Sequence, residues 1–118
     1  MSKIPEKARA LVAVRSMGRC ERCGMRGSEI HHRLRRRDGG HPVGILVNLC
    51  GTCHRWAHAN PVAAKATGFI IGPWHADPNS VPIKTYSEWV LFDDDGNETY
   101  LSANAPEVLQ HQQESESP

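Results

Sequence analysis

The sequence predicts a small α+β domain, with a helix near its N-terminus and a β-hairpin near its C-terminus. The chain has 118 residues, of which 39% are hydrophobic and 6% aromatic, so a single domain of this size has a thin apolar core. Such a domain usually needs a disulfide or a bound metal as an additional link. Four cysteines are available, and they form two Cys-x-x-Cys pairs, Cys20 with Cys23 and Cys50 with Cys53.

The N-terminal half alternates short elements with turns. In chain order, we predict a helix over 5–17, a turn over 20–24, a strand over 28–34, a loop over 35–44, an extended segment over 45–49, and helices over 53–59 and 61–68. Pro5 suits the opening turn of the first helix, and Gly18 can end it. Asn60 and Pro61 form a typical N-cap and first-turn pair for the last helix.

Beyond residue 68 the pattern becomes extended, and strands are predicted over 69–71, 89–92 and 98–101. The sequence Asp-Asp-Asp-Gly-Asn over 93–97 is typical of a hairpin turn between the last two. We interpret residues 1–102 as one domain and predict that the acidic, Gln- and Ser-rich residues 103–118 are disordered. The tryptophans are expected in the core rather than as stacking platforms, because few other aromatic residues can fill it: Trp56, Trp74 and Trp89.

The N-terminus lacks the apolar run of a secretory signal, and no segment reaches the roughly 18 apolar residues of a membrane span. We therefore expect a cytoplasmic protein with no membrane partner. In a reducing compartment the cysteines are expected to bind metal rather than to form disulfides.

The net charge of +1 conceals a strong asymmetry along the chain. Residues 1–60 contain twelve Lys or Arg against four acidic residues, which gives +8, and residues 61–118 contain two against nine, which gives −7. A basic half beside an acidic half suggests one face suited to a polyanion. A solvated surface without a partner explains the charge balance alone equally well.

Two Cys-x-x-Cys pairs at this separation can place four thiolates around one ion, and a closed sulfur shell is typical of structural zinc. The alternatives are four unrelated thiols or a redox pair. With four protein ligands, no coordination position remains open for chemistry, so the predicted zinc site is structural.

Four histidines suggest a second metal site beside the first. His31 and His32 precede the second cysteine pair, and His54 and His58 lie four residues apart, on one face of the predicted helix. Neighbouring residues of a regular strand point to opposite faces, so one of His31 and His32 could instead be structural. The remaining histidines fit no ligand spacing and are interpreted as ordinary residues: His41, His75 and His111.

The sequence resembles the HNH endonuclease family. The likeness is carried by the segment Glu-Ile-His-His-Arg over 29–33, by Gly39-Gly40, and by Asn-Leu-Cys-Gly-Thr-Cys-His-Arg-Trp-Ala-His over 48–58. It covers residues 20–58 firmly and 68–95 more loosely. The most similar members are small nucleases often carried by tailed phages, which keep four zinc cysteines around a ββα-metal finger. The resemblance implies such a finger over about 20–60 and, for a phage protein, a location in the host cytoplasm.

The resemblance also implies an activity, the metal-dependent hydrolysis of DNA phosphodiester bonds by nicking or double-strand cutting. His31 and His54 match the ligands of the catalytic ion, and His58 matches a further ligand of colicin-type members. His32 matches the general base, which accepts the proton of the attacking water. The catalytic divalent ion is expected to be Mg²⁺, Mn²⁺, Ni²⁺ or Zn²⁺, and the products to carry a 5′-phosphate and a 3′-hydroxyl.

The sequence departs from the family at the central asparagine, which usually lies five residues before the third cysteine and ties the loop that holds the base histidine. Ile45 occupies that position. Asn48, two residues before Cys50, either takes over this role through a local register shift or is a turn residue.

Nucleic-acid contacts are expected from the arginines that follow the two strand histidines, because guanidinium groups bind phosphates: Arg33, Arg35, Arg36 and Arg37. A solvated basic loop is the simpler alternative.

Two other functions compete with a DNA nuclease. One is a zinc-ribbon module that binds nucleic acid without turnover, and the other is a protein-binding partner in a larger assembly, by family analogy with phage packaging proteins.

Overall fold

The computed structural model describes residues 3–35, 38 and 40–101. In these residues the elements are helices α1 (Glu6–Ser16), α2 (Gly51–Ala59) and α3 (Pro61–Ala66), and strands β1 (Glu29–His32), β2 (Leu46–Leu49), β3 (Ile83–Lys84), β4 (Trp89–Phe92) and β5 (Glu98–Tyr100). The strands form two antiparallel sheets, β1–β2 and β3–β4–β5. The predicted α+β class is confirmed, whereas the predicted tail over 103–118 lies outside the described residues. No described helix combines the length and apolar character required to cross a membrane.

Helix α1 covers one face of the β1–β2 sheet. Its buried residues Ala8 and Val12 pack with Leu46 of β2, and Ile30 of β1 adds to the same cluster. The helix ends one residue earlier than predicted, since Met17 already takes a left-handed conformation with φ 54° and Gly18 follows it with φ 73°. This reversal directs the chain into the first cysteine turn.

The opposite face of the β1–β2 sheet packs on α2. Val47 and Leu49 of β2 share a core cluster with Cys53 and Ala57 of α2. Helix α2 begins at Gly51, two residues before the predicted start, because the Cys50 sulfur accepts a hydrogen bond from the backbone N–H of Cys53 and so caps the helix. Strand β2 therefore runs directly into the helix that carries the second cysteine pair.

The second sheet completes the same core through Val90 and Phe92. The strand predicted over 69–71 is wrong. The segment is irregular, with the amide of Phe69 donating to Ala64 O and that of Ile71 to Arg33 O, so its backbone is satisfied without a partner strand. Strand β3 was missed because only two residues pair there, directly after a proline.

Arg33 is buried at the centre of the molecule and is only 1% exposed. Its guanidinium donates to three carbonyls from separate segments: Gly68 O at 2.7 Å, Gly44 O at 3.0 Å and Val81 O at 2.5 Å. Burial lowers the pKa of Arg33 to about 9, which leaves it charged at neutral pH. The prediction that Arg33 contacts phosphate is therefore wrong, because the side chain joins three loops inside the protein.

We expect Arg33→Met to lower the free energy of unfolding by about 3–5 kcal/mol, because three buried carbonyls lose a charged donor. The matched control is Arg35→Met. That side chain is exposed and pairs with Asp38 at 3.2 Å, so its loss should change stability by less than about 1 kcal/mol. Urea denaturation of the metal-loaded protein measures both values. Equal losses for the two variants would contradict the structural role of Arg33.

Candidate functional site

The four cysteines converge at one point. Cys20 and Cys23 lie in the turn between α1 and β1, Cys50 precedes α2, and Cys53 lies in its first turn. One ligand atom of each lies within 4.8 Å of the other three, and all four are free thiols. The predicted clustering is confirmed, and its geometry is compatible with a structural metal such as zinc.

The surroundings act in opposite directions on the cysteine sulfurs. Arg22 Nη1 lies 3.4 Å from Cys53 Sγ, and its guanidinium lies 3.5 Å from the ring centroid of Trp56. The hydrogen bond from the Cys53 amide lowers the pKa of Cys50 to about 7, whereas burial raises the pKa of Cys53 to about 12. A metal ion that binds here must therefore displace a proton from Cys53, so metal affinity should fall as the pH falls.

Three of the four histidines predicted at the second site form a compact cluster. His31 lies on β1, and His54 and His58 lie on α2. Their ring centroids are 5.2 Å apart for His31 and His54, 5.3 Å for His31 and His58, and 5.0 Å for His54 and His58. One nitrogen of each ring lies within 4.8 Å of the other two, so the cluster could hold a metal ion. We refer to these three residues as the histidine cluster.

Hydrogen bonds fix which nitrogen two of these rings can offer. His31 Nε2 lies 2.7 Å from Phe69 O, which can only accept, so Nε2 carries the proton and Nδ1 keeps its lone pair. His54 Nδ1 lies 2.8 Å from Glu29 Oε1, which leaves Nε2 of that ring for a ligand. Burial lowers the pKa of His31 to about 4, so this ring is neutral at physiological pH. In histidines that bind metal, the ring nitrogen that does not face the ion typically makes a hydrogen bond of this kind.

His32 points away from the histidine cluster, as alternation along a strand requires. Its Nε2 lies 2.9 Å from Nδ1 of His41, and the two ring centroids are 5.1 Å apart. His41, which was interpreted as an ordinary residue, is thus a direct hydrogen-bond partner of His32. His41 follows His32 by nine residues in the sequence. This spacing matches no regular helix or strand repeat, so the sequence pattern did not predict the contact.

A cleft of about 360 Å³ joins these features. The histidine cluster contributes His31 and His58 to its wall, and His32 lines it as well. Other lining residues come from the segment after β1, from α3 and from the irregular segment after it: Arg33, Leu34, Arg35, Asp38, Lys65, Ile70, Ile71, Gly72 and Pro73. The exposed Arg35 and the half-buried Lys65 give this cleft two cationic side chains. Arg36 and Arg37 lie outside the described residues.

Asn48 does not take the role suggested for it. Its side-chain Nδ2 donates to Ser16 Oγ at 3.2 Å and to Arg19 O at 3.3 Å, and its backbone N–H donates to Glu21 at 2.9 Å. The residue is also not in a turn, since it lies inside β2 opposite Ile30. Asn48 therefore fastens β2 to the first cysteine turn rather than orienting His32.

Glu29 was included in the motif but not recognised as a partner of His54. The signal was present, because residues two apart on a strand share a face, so Glu29 and His31 both point toward α2. The Phe69 carbonyl and Lys65 could not be found in this way, since the packing of α3 and of the segment after it brings Lys65 to the cleft and Phe69 O to His31.

Comparison of the chain with protein-family models, with curated proteins and with solved structures gives no match. Function is therefore inferred from the geometry of the cysteine cluster, the histidine cluster and the cleft.

Proposed function

We propose that this protein is a metal-dependent endonuclease of the HNH type that hydrolyses DNA phosphodiester bonds. One observation carries the proposal. Three imidazoles have nitrogens within 4.8 Å of one another, and two of them, those of His31 and His58, line a cleft that is also lined by a fourth histidine and by cationic side chains. This combination matches the needs of phosphodiester hydrolysis, which are a metal, a base and groups that hold a polyanion.

The donor set of the histidine cluster fits a divalent ion. Its first two members each offer one nitrogen whose partner nitrogen is already engaged, His31 through Phe69 O and His54 through Glu29. His58 supplies a third imidazole, and imidazole suits Mn²⁺, Ni²⁺ and Zn²⁺ better than Mg²⁺. When bound, the ion would supply positive charge against the negative charge that develops on the leaving oxygen. Zinc in the cysteine cluster is proposed to be structural.

His32 is proposed as the general base. It lines the cleft beside His31 and belongs to no metal-ligand set among the described residues. Its hydrogen bond to His41 restricts rotation of the ring. His32 accepts a proton from the water whose oxygen attacks the phosphorus, the bond between phosphorus and the 3′ oxygen breaks, and the 3′ oxygen takes a proton from solvent to give the hydroxyl product.

The proposed substrate interaction is electrostatic. Arg35 and Lys65 line the cleft from different segments, so phosphates on both sides of the scissile bond can be held. Arg36 and Arg37, which follow Arg35 in the sequence, were also predicted to contact phosphate. Contacts of this type do not read base edges, and we expect weak sequence specificity and a strong dependence on salt.

We expect Glu29→Ala to weaken divalent-metal binding by about 10- to 100-fold, because His54 loses the carboxylate that orients its ring. Glu29→Gln keeps a hydrogen-bond acceptor but no charge. Its affinity for the divalent metal should lie between those of Glu29→Ala and the wild type. Titration of zinc-loaded protein with Mn²⁺ measures the affinity, and Glu6→Ala on the exposed side of α1 is the control. Unchanged affinity in Glu29→Ala would exclude this orienting role.

The nuclease proposal is tested by incubating supercoiled plasmid with purified protein and Mg²⁺, Mn²⁺ or Ni²⁺, beside an EDTA control and the His32→Ala variant. We expect metal-dependent nicking that is lost in both controls. The competing proposal is a nucleic-acid-binding module without turnover, which is favoured by the buried Ile45 at the usual asparagine position. DNA binding without cutting in every metal would support that module and reject the nuclease.

A further inference from the structure

Trp74 is exposed although the sequence predicts a core position. The side chain is 46% exposed, whereas Trp56 and Trp89 are half-buried and pack against core clusters. The core prediction is therefore wrong for Trp74. The chain is only 6% aromatic, and one of its three indoles is left at the surface.

The indole is held in place by its surroundings. A Cβ at Gly72 would lie 2.2–2.4 Å from three atoms of the six-membered ring, so the ring packs directly on the Gly72 backbone. Lys65 Nζ lies 5.6 Å from the Trp74 ring centroid, within the range of a cation–π contact. The ring of His75 lies 5.8 Å away at an interplanar angle of 28°. Three neighbours therefore fix the orientation of an aromatic surface that remains open to solvent.

This surface adjoins the cleft of the histidine cluster. Gly72, Pro73 and Lys65 line that cleft, so two of the three neighbours that hold the indole, Gly72 and Lys65, lie on its wall. A cationic side chain beside an exposed aromatic ring is the usual combination for binding single-stranded nucleic acid, because the ring stacks on a base and the cation contacts the phosphate.

We propose that Trp74 and Lys65 bind an unpaired nucleotide next to the scissile phosphate, so that DNA with a single-stranded or frayed segment is preferred over intact duplex. A base inside a duplex is already stacked on both faces, and only a base turned out of the helix can reach the indole. This inference depends on the proposed function for its substrate, but its test depends only on binding.

The test measures fluorescence anisotropy of labelled single-stranded DNA and of the matching duplex, with zinc-loaded protein and no other added metal. Trp74→Ala should weaken single-strand binding by about 5- to 100-fold and duplex binding by less than about twofold, because stacking is lost but no charge is removed. Trp74→Phe should restore most of the affinity. Tyr100→Ala is the matched control, since this tyrosine is 57% exposed and does not line the cleft.

Two further readouts complete the test. Single-stranded DNA should quench the tryptophan fluorescence of the wild type, and Trp74→Phe should remove most of the quenching. Lys65→Gln should weaken binding to both forms of DNA and lower the salt dependence by about one counterion. Equal losses on single strand and duplex in Trp74→Ala, or no loss on either, would overturn the inference. A protein that discriminates through Trp74 but never cuts would instead reject the nuclease proposal alone.

Discussion

Replacing Cys53 with serine should abolish cooperative folding. The residue is buried in the same core cluster as Leu49 and Ala57, so the metal it helps to hold would lie against the core rather than at the surface. A structural zinc contributes on the order of 10 kcal/mol, which is comparable to the whole stability of a small domain. Circular dichroism during thermal unfolding, together with the zinc content per chain, measures the effect.

Thr52→Ser is the matched control, because Thr52 is the exposed neighbour of Cys53 in the same helical turn. This variant should unfold cooperatively and retain its zinc. A chelator added to the wild type should reproduce the Cys53→Ser result, and zinc should reverse it. Cooperative unfolding of Cys53→Ser at the wild-type temperature would show that the thin apolar core is sufficient without metal.

The second large effect separates metal binding from proton transfer. His54→Ala should remove nicking and divalent-metal binding together, because it deletes one member of the histidine cluster. His32→Ala should lower the nicking rate by about 10²- to 10⁴-fold while leaving metal affinity unchanged, since a general base contributes about that factor. Single-turnover nicking in saturating Mn²⁺ and a parallel Mn²⁺ titration provide both readouts.

His41→Ala provides an intermediate case. It removes the hydrogen bond to His32 without removing the base, and a loss of about tenfold corresponds to one hydrogen bond of about 1.4 kcal/mol. His41→Gln keeps a polar partner and should recover part of the rate. If His32→Ala cuts as fast as the wild type, His32 is not the base, whatever the effect at His41.

Local spacing was sufficient to predict both ligand clusters. Each Cys-x-x-Cys pair fits one tight turn, and His54 and His58 share a face because a helix repeats every 3.6 residues. The placement of His31 facing α2, with His32 turned away, follows from alternation in β1. These features depend on residues that are near in sequence, or on strands joined by the cysteine cluster.

Long-range packing decided the features that the sequence did not reveal. Arg33 is indistinguishable from its basic neighbours in sequence, and only the convergence of three loop carbonyls buries it. Asn48 was assigned by its distance from Cys50, but its partners Ser16 and Arg19 lie about 30 residues earlier. Trp74 packs on the Gly72 backbone at the surface and stays 46% exposed, a placement that composition cannot predict.

His31, His54 and His58 are proposed to form one metal-binding site separate from the cysteine cluster. The decisive measurement is a titration of zinc-loaded protein with Co²⁺, followed by visible absorption. We expect one additional ion per chain, with the bands of nitrogen and oxygen ligands, no intense sulfur charge-transfer band, and loss of binding in His54→Ala but not in His32→Ala. Failure to bind a further ion, or binding that survives His54→Ala unchanged, would contradict the claim.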